Sequence, residues 1–322
     1  MLGLNGYLTL CFVITKRKYC SKRLVYNCLS PNQNLLIAMP NCQRIFHLNL
    51  RYILLRLIRH FMPERLARFF LKRRWFIRPG LESTNPTAAV EQYLLALSAY
   101  GKSVEGKKVL LFGYGGRFAV AVELLKGGAS HVVLCDHFIL LDHERNLQLL
   151  PTHEMYLKQN QNEVKPRSEF ITLLHGDILE MPLQEKIRQV DCVLSTSVYE
   201  HLDDVDGITK ALANLTSPQG FHLHFVDLRD HYFKYPFEML KFSKKVWKYL
   251  LNPTSNLNRF RLNDYQKFFN QHFETVEIKV LERNLDEFLK AAKQIRPEFK
   301  TGDEAIDAIT LISIFASQPI RG

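Results

Sequence analysis

The chain has 322 residues, 47% hydrophobic and 23% charged, a composition typical of a globular protein long enough for one large α/β domain. Its net charge of +11 at pH 7 comes from residues 1–80, which hold 15 Lys and Arg against one acid, Glu64. The rest of the chain is slightly acidic, which excludes the basic footprint typical of a nucleic-acid-binding domain.

The six cysteines, at positions 11, 20, 28, 42, 135 and 192, form no Cys-x-x-Cys pair and no spacing typical of a zinc site. Cys135 and Cys192 lie in apolar runs, where we expect small buried side chains. This pattern favours a reducing compartment over a disulfide framework. We therefore predict a cytoplasmic protein.

Residues 1–80 are predicted to form a basic N-terminal extension. The first 14 residues are apolar, but no charged segment precedes them as in a signal peptide, and they are too few to span a bilayer comfortably. Residues 15–42 show no clear period. A natural start at Met39, with residues 1–38 as an extension without a fold, is one interpretation.

Residues 46–76 predict a basic amphipathic helix. Its apolar residues recur at helical spacing with basic residues between them: Ile53, Leu54, Leu57, Ile58, Phe61, Leu66, Phe69 and Phe70 against Arg51, Arg56, Arg59, Arg65, Arg68, Lys72 and Arg73. Such a helix either makes peripheral contact with an anionic membrane or packs on the domain with a solvated basic face. Further along, Thr87 is expected to cap a helix that covers the ligand cleft or an edge of the sheet.

From Lys107 the sequence alternates between short apolar strands and helical segments. Strands are predicted at 109–112, 131–135, 170–174, 190–194 and 221–226, with helices at 118–125 and 142–159. The pattern predicts an α/β domain over residues 81–322, with a Rossmann-like, doubly wound, mostly parallel sheet and helices on both faces. Ligands are then expected beyond the carboxyl ends of the strands.

The alternation stops after Asp227. Residues 228–260 hold eight aromatic residues without a strand period, and a helix at 264–269 and strands at 272–280 and 309–316 follow. The two late strands predict an antiparallel hairpin at the sheet edge. The 228–260 insertion predicts a substrate-covering lid or a plain packing layer. Its Arg259 and Arg261 either bind an anionic substrate group or are ordinary surface arginines.

A glycine-rich segment, Phe112-Gly113-Tyr114-Gly115-Gly116, follows the first strand. Glycine tolerates positive φ in such a turn and lets backbone N–H groups approach a ligand. The third glycine of a dinucleotide fingerprint would fall at Phe118, whose bulk argues against NAD or FAD.

Two aspartates follow the next two strands. Asp136 is placed to accept hydrogen bonds from ribose hydroxyls. Asp177 is placed to accept from an adenine amine, with Ile178 packed on the ring. Either aspartate would otherwise be a helix cap.

These residues resemble class I S-adenosylmethionine (SAM)-dependent methyltransferases of the methyltransferase-11 type. The resemblance rests on VLLFGYGGRFAVAVELL, VVLCD, LHGDILEMPL and VDCVLSTSVYEHLDD, within about 105–230. It implies a seven-stranded sheet and SAM as cofactor, with Ser195 to Ser197 beneath the sulfonium. The cofactor-binding residues predicted in this way are Gly113, Tyr114, Gly115, Gly116, Asp136, His137, Asp177, Ile178, Ser195 and Thr196. Arg117 departs from the small residue that many members carry, which leaves the contact to the methionine tail open.

The segment Tyr199-Glu200-His201-Leu202-Asp203-Asp204 follows the fourth strand. Similar segments occur in quinone-type and sugar O-methyltransferases, so His201 is a candidate general base for a substrate hydroxyl. His231 is the rival base and Glu200 a third catalytic candidate. Alternatively, Glu200 and His201 only fix the loop. Ser197 stands where some relatives have a metal-binding Glu, so no metal is expected.

The leading hypothesis is O-methylation of a small molecule, such as a sugar, a glycan or a lipid-linked intermediate, without a nucleic-acid partner. The alternatives are transfer to nitrogen or carbon, and a factor that binds SAM without turnover. The sequence assigns neither the acceptor nor the oligomeric state.

Overall fold

The structure is a computed structural model that describes residues 49–63, 85–137, 141–161, 163–230, 235–252 and 257–321. All described residues belong to one compact unit, His47–Gly322.

Two helices precede the sheet. Helix α1 (Leu50–Phe61) is capped by Asn49, whose side chain accepts from the N–H of Tyr52 at 3.1 Å. Helix α2 (Pro86–Ser98) starts with a proline, a residue suited to the first helical turn. Asn85 caps α2, so the prediction that Thr87 would do so is wrong. Within the described residues, no helix is long and apolar enough to cross a bilayer.

The strands and the later helices follow in chain order. The strands are β1 (Lys108–Phe112), β2 (His131–Asp136), β3 (Leu157–Asn160), β4 (Glu163–Pro166), β5 (Ile171–His175), β6 (Val190–Thr196), β7 (Thr216–Asp227), β8 (Phe273–Arg283) and β9 (Ile309–Pro319). The helices are α3 (Ala119–Lys126), α4 (His143–His153), α5 (Met181–Ile187), α6 (Val205–Leu215), α7 (Lys244–Val246), α8 (Leu262–Asn270), α9 (Leu285–Ala291) and α10 (Glu304–Asp307). Short 3₁₀ turns at Tyr199–His201, Glu238–Lys241 and Pro297–Phe299, and a π turn at Trp247–Leu251, complete the elements.

Seven strands form one sheet in the order β5-β2-β1-β6-β7-β9-β8. Strands β5, β2, β1, β6 and β7 are parallel, whereas β9 runs antiparallel to both β7 and β8. The predicted Rossmann-like, mostly parallel sheet is confirmed, and the two late strands form the expected antiparallel pair at its edge. The chain order reverses between β1 and β6, which is where such sheets bind ligands.

One predicted element is wrong. The helix expected over 142–159 ends at His153, and β3 and β4 form a separate antiparallel hairpin. Each of these strands buries a single apolar side chain, Leu157 or Val164. Strands this short and this polar lack a recognisable period of two in the sequence.

The core lies on both faces of the sheet. Alternate β1 residues serve opposite faces: Val109 and Leu111 pack with α2 and α3, and Leu110 and Phe112 pack with α5, α6 and α8. A third apolar cluster joins α1, residues 237–257 and α9. Cys135 and Cys192 are fully buried free thiols, as predicted.

Candidate active site

The glycine loop leaves the sheet at the carboxyl end of β1. Gly113, Gly115 and Gly116 have φ values of 79°, 71° and 76°, which L side chains rarely adopt. A Cβ on Gly113 would lie 2.3 Å from Cγ2 of Val198, so the loop there touches the segment after β6. A Cβ on Gly115 would meet nothing within 4 Å, so this backbone is open to a ligand.

Asp136 lies beside this loop. Because β1 and β2 are parallel and Phe112 pairs with Cys135, both strands end at the same edge. The N–H of Gly115 donates to Oδ2 of Asp136 at 3.3 Å, and the side chain is only 8% exposed. The next residue, His137, is exposed. The carboxylate is therefore fixed next to the open Gly115.

Tyr114 turns its ring into the core. The ring is buried, and its hydroxyl lies 3.5 Å from Nε2 of His175 on β5. Burial raises the pKa of this phenol, and the charge of Asp136 adds to the effect. The part of Tyr114 at the loop surface is therefore its backbone.

Asp177 and Ile178 follow β5, the strand that pairs with β2. The N–H of Gly176 donates to the carbonyl of Asp136 at 3.2 Å, which joins the ends of the two strands. Oδ1 of Asp177 accepts from the N–H of Leu179 at 2.9 Å, so this carboxylate does cap a turn. The Ile178 side chain is buried in the sheet core. The predicted adenine contacts of both residues stay predictions.

Ser195 and Thr196 end β6 and point to opposite faces of the sheet. Oγ of Ser195 lies 2.7 Å from Nδ1 of His224 on β7. Oγ1 of Thr196 lies 2.6 Å from the hydroxyl of Tyr93 on α2. Helix α2 thus reaches the end of β6, at the edge where the glycine loop lies.

A chain of buried hydrogen bonds runs from Ser195 along β7. Thr216 donates to the carbonyl of Leu212 at 2.7 Å, so its oxygen accepts from Nε2 of His222, also at 2.7 Å. Nδ1 of His222 must then accept from Nε2 of His224 at 3.2 Å, which leaves Nδ1 of His224 to accept from Ser195. Burial lowers the pKa of both rings, that of His224 to about 3, so both are neutral.

The 3₁₀ turn Tyr199–His201 carries the catalytic candidates Glu200 and His201. It follows Ser197, a non-glycine residue with φ of 54°. Glu200 is 3% exposed, and burial raises the pKa of its carboxyl to about 8, an effect to which the charge of Asp227 adds. Near neutral pH this carboxyl is therefore mostly protonated. His201 is half-buried.

Asn258 fixes this turn. Its Nδ2 donates to the carbonyls of Tyr199 at 2.7 Å and Leu202 at 3.1 Å, and its N–H donates to the carbonyl of Glu200 at 2.8 Å. A small cleft is lined by Glu200 together with Asp227, Arg229, Asn258, Arg259 and Tyr265.

The loop after β7 forms the other side of this edge. Arg229 donates to Asp227 from Nε at 2.9 Å and from Nη2 at 2.8 Å. Asp230 is fully buried and accepts from the hydroxyl of Tyr52 and from Nη2 of Arg56, both on α1. The rival base His231 lies outside the described residues.

Arg259 and Arg261 serve the protein interior. Arg259 donates to the carbonyls of Met239 at 3.2 Å and Phe242 at 2.6 Å. Arg261 donates to the carbonyls of Leu228, Asp307 and Ile309. Burial lowers the pKa of each guanidinium to about 10. Both guanidinium groups donate to backbone carbonyls. The structure therefore does not support either prediction, that they bind an anionic substrate group or that they are ordinary surface arginines.

The described part of the 228–260 insertion is largely a packing layer. Phe237, Phe242 and Trp247 are buried in the third cluster, whereas Tyr249 is 70% exposed. A substrate-covering role for the insertion stays a prediction.

The comparison with protein families gives one match. Residues 142–224, about a quarter of the chain, match the family model described as a methyltransferase domain. The match runs from the start of α4 to His224 of β7 and so includes the Tyr199–His201 turn. The chain carries a methyltransferase domain.

The match confirms the resemblance to SAM-dependent methyltransferases, and with it the predicted enzyme class and SAM as cofactor. The methyltransferase domain fits this cofactor at its glycine loop. Gly115 leaves open space beside its backbone, and the buried Asp136 carboxylate lies next to it. A nucleoside with a zwitterionic tail needs such a close backbone approach and such an acceptor. Which residue contacts which part of SAM stays a prediction.

Solved structures resemble the methyltransferase domain distantly. A SAM-dependent methyltransferase from Mesorhizobium loti is 16% identical, with 69% of this chain and 95% of that chain covered and a TM-score of 0.39. Geranyl diphosphate C-methyltransferase from Streptomyces coelicolor is 11% identical (72% and 79% covered, TM-score 0.43). Phosphoethanolamine N-methyltransferase 2 from Haemonchus contortus is 14% identical (71% and 53% covered, TM-score 0.40). These likenesses assign neither the substrate nor the methylated atom. A comparison with curated proteins gives no match.

Sequence reasoning missed four residues that contribute to the site. Tyr93 is a tyrosine on the buried face of a predicted helix, and a buried hydroxyl usually needs a partner, so its contact with Thr196 had a weak signal. His222 and His224 alternate along β7, so the sequence indicated that both lie on one face of the sheet, but it did not indicate their contacts with Thr216 and Ser195. Asn258, in a segment without regular structure, gave no signal.

Proposed function

We propose that this methyltransferase transfers a methyl group to a hydroxyl of a small molecule, such as a sugar, a glycan or a lipid-linked intermediate. The observation that carries the proposal is the contact between the two halves of the site. Val198, directly before the turn with Glu200 and His201, packs against Gly113 of the cofactor loop. A base on that turn would lie close to the donor.

SAM supplies an electrophilic methyl group when it is bound. The task of the protein is to align the acceptor oxygen, to exclude water and to take up the hydroxyl proton. His201 is proposed as the base, with His231 as the rival from the loop after β7. Glu200, protonated near pH 7 because burial raises its pKa to about 8, is unsuited to be that base. Its proposed role is to hold the turn in place.

SAM binding is the first test. Calorimetry on the full chain is expected to show binding that Asp136→Ala weakens at least about tenfold, since the ribose hydroxyls lose a charged acceptor. The matched control Asp203→Ala, at an exposed position after the turn, is expected to leave the affinity unchanged. No binding to the unsubstituted protein would contradict the assignment of the cofactor.

Turnover is the second test. The protein is incubated with SAM and a metabolite extract, and the products are searched for a mass gain of one methylene. If His201→Ala and His231→Ala both keep full turnover on the identified acceptor, the general-base proposal is wrong. A product methylated on nitrogen or carbon would contradict the proposed transfer to a hydroxyl. Binding without turnover on any extract would favour a SAM-binding factor.

The location of the enzyme is part of the proposal. The sequence predicts a cytoplasmic protein in which residues 46–76 either contact a membrane or pack on the domain, and we propose the membrane contact; the structure describes 49–63 of these residues. An acceptor with a lipid anchor would suit that location.

A further inference from the structure

Helix α1 presents an apolar stripe to solvent. Leu50, Leu54, Ile58 and Phe61 are 72%, 50%, 51% and 73% exposed. Their spacing of four, four and three residues places them on one face of the helix. Four large apolar side chains in one row form a patch, whereas isolated exposed leucines need no explanation.

The opposite face attaches α1 to the domain. Tyr52 stacks on Phe242, with ring centroids 6.0 Å apart, and the Arg56 guanidinium lies 4.8 Å from the centre of the Trp247 ring. Both side chains hydrogen-bond to Asp230, and all three are buried. The helix is therefore held in place by its inner face, and the outer stripe is not needed for its packing.

The sequence that contains the stripe is basic, which favours an anionic occupant. Arg51 is exposed on α1, and residues 1–80 hold 15 Lys and Arg against one acid. An apolar row beside basic side chains is the pattern of helices that lie in the interface of an anionic bilayer, with the row among the acyl chains and the cations at the phosphates. A second copy of the chain would instead carry the same basic sequence.

We propose that α1 docks the protein on an anionic membrane surface through Leu50, Leu54, Ile58 and Phe61. Asp230, which accepts from Tyr52 and Arg56 of α1, lies directly after the end of β7, the strand that pairs with β6. The docking helix and the segment after β7 are thus joined by two side chains. This connection favours an acceptor carried by a lipid, a conclusion that rests on the proposed function; the docking itself does not.

The test uses the full chain and vesicles of phosphatidylcholine with and without phosphatidylglycerol. The unsubstituted protein is expected to float with the anionic vesicles, and less so at high salt. The double variant Leu54→Glu/Ile58→Glu is expected to bind at least about tenfold more weakly, because two apolar side chains no longer enter the bilayer. The matched control Leu95→Glu changes a leucine of α2 that is 75% exposed and is expected to bind as the unsubstituted protein does.

Equal binding of the double variant, or no binding of the unsubstituted protein, overturns the proposal. Light scattering tests the alternative that a second copy of the chain covers the stripe. If the unsubstituted protein is a dimer and Leu54→Glu/Ile58→Glu is a monomer, a second copy occupies the stripe and membrane docking is wrong. Thermal unfolding of each variant checks that it is folded. Calorimetry of SAM binding without vesicles separates the two proposals, because a protein that binds vesicles but not SAM contradicts only the proposed function.

Discussion

The hydroxyl of Ser195 donates to Nδ1 of His224, 2.7 Å away across the β6–β7 pair. The direction of this bond follows from the other end of the chain of hydrogen bonds. There the hydroxyl of Thr216 donates a hydrogen bond to the carbonyl of Leu212, so its oxygen is left to accept from His222. With both imidazoles neutral, each ring has one N–H that donates and one nitrogen that accepts, which is the order that these contacts show. Burial lowers the pKa of both histidines, and the neutral rings fit this chain of hydrogen bonds.

We expect the methyltransferase to lose stability in mild acid. The pKa of His224 is about 3 in the folded state, against an ordinary value of 6.5, and that of His222 is also lowered. Stability from the neutral rings is fully present above about pH 6.5 and is lost as the pH falls towards the folded-state pKa. The free energy of unfolding should fall by up to about 1.4 kcal/mol per pH unit for each ring, measured by urea unfolding between pH 7 and 5.

The double variant His222→Leu/His224→Leu should show a shallower pH dependence over this window. His143→Gln, at an exposed position, is the control and should keep the slope of the unsubstituted protein. A double variant with an unchanged slope would show that other groups cause the acid sensitivity.

Gly115→Ala should weaken SAM binding by more than the small loss of folding stability would explain. Its φ of 71° makes any L residue unfavourable by about 1 kcal/mol, but a Cβ there meets no protein atom within 4 Å. The methyl group would instead occupy the space left for the cofactor. Calorimetry should show at least about a tenfold loss of affinity.

Gly106→Ala is matched to this change, since Gly106 has φ of 64° and an equally open Cβ position away from the loop. It should lower the melting temperature about as much and leave SAM affinity unchanged. Equal affinity losses in the two variants would argue against a cofactor at Gly115.

Glu200→Gln should stabilise the protein at alkaline pH. The folded-state pKa of about 8 lies above the ordinary 4.5, so burial of this carboxyl costs least below pH 4.5 and most above pH 8. The amide avoids the buried charge, and the gain at pH 8.5 should be on the order of 3 kcal/mol, shrinking towards pH 5. Thermal unfolding at both pH values measures it. Glu185→Gln, at an exposed position, should give no such difference, and a uniform effect of Glu200→Gln would contradict the raised pKa.

Arg56→Ala should destabilise the protein by about 3–5 kcal/mol, because it leaves the Asp230 carboxylate buried without its guanidinium. Arg56→Leu/Asp230→Leu should recover much of this loss, since an apolar pair avoids the unpaired charge. The exposed Arg51→Ala on the same helix should change stability by less than about 0.5 kcal/mol. Urea unfolding measures all three, and a small effect of Arg56→Ala would mean that α1 is not held by this pair.

The sequence predicted the sheet because its signals are local. The runs at Val109 and Val132 are continuous and apolar, as expected of strands buried on both faces, and Gly113 and Asp136 stand directly at their ends. These features need no knowledge of distant contacts.

What the sequence did not predict depends on distant partners. Arg56 was expected among solvated basic residues, yet it is buried because Asp230, 174 positions later, receives it. The apolar residues Leu54 and Ile58 were expected to share a face with Ile53 and Leu57, but the helix packs through Tyr52 and Arg56 and leaves the first two exposed. Periodicity identifies a helix but not which side of it meets the protein.

The position of β9 has a consequence for synthesis. This strand lies between β7 and β8, and β8 is attached to the sheet only through it. While the ribosome makes the chain, the edge of β7 that pairs with β9 therefore stays unpaired until residues 309–319 emerge. An exposed strand edge attracts other strands. The nascent chain thus carries an unpaired strand edge until β9 has been made, long after the cofactor loop.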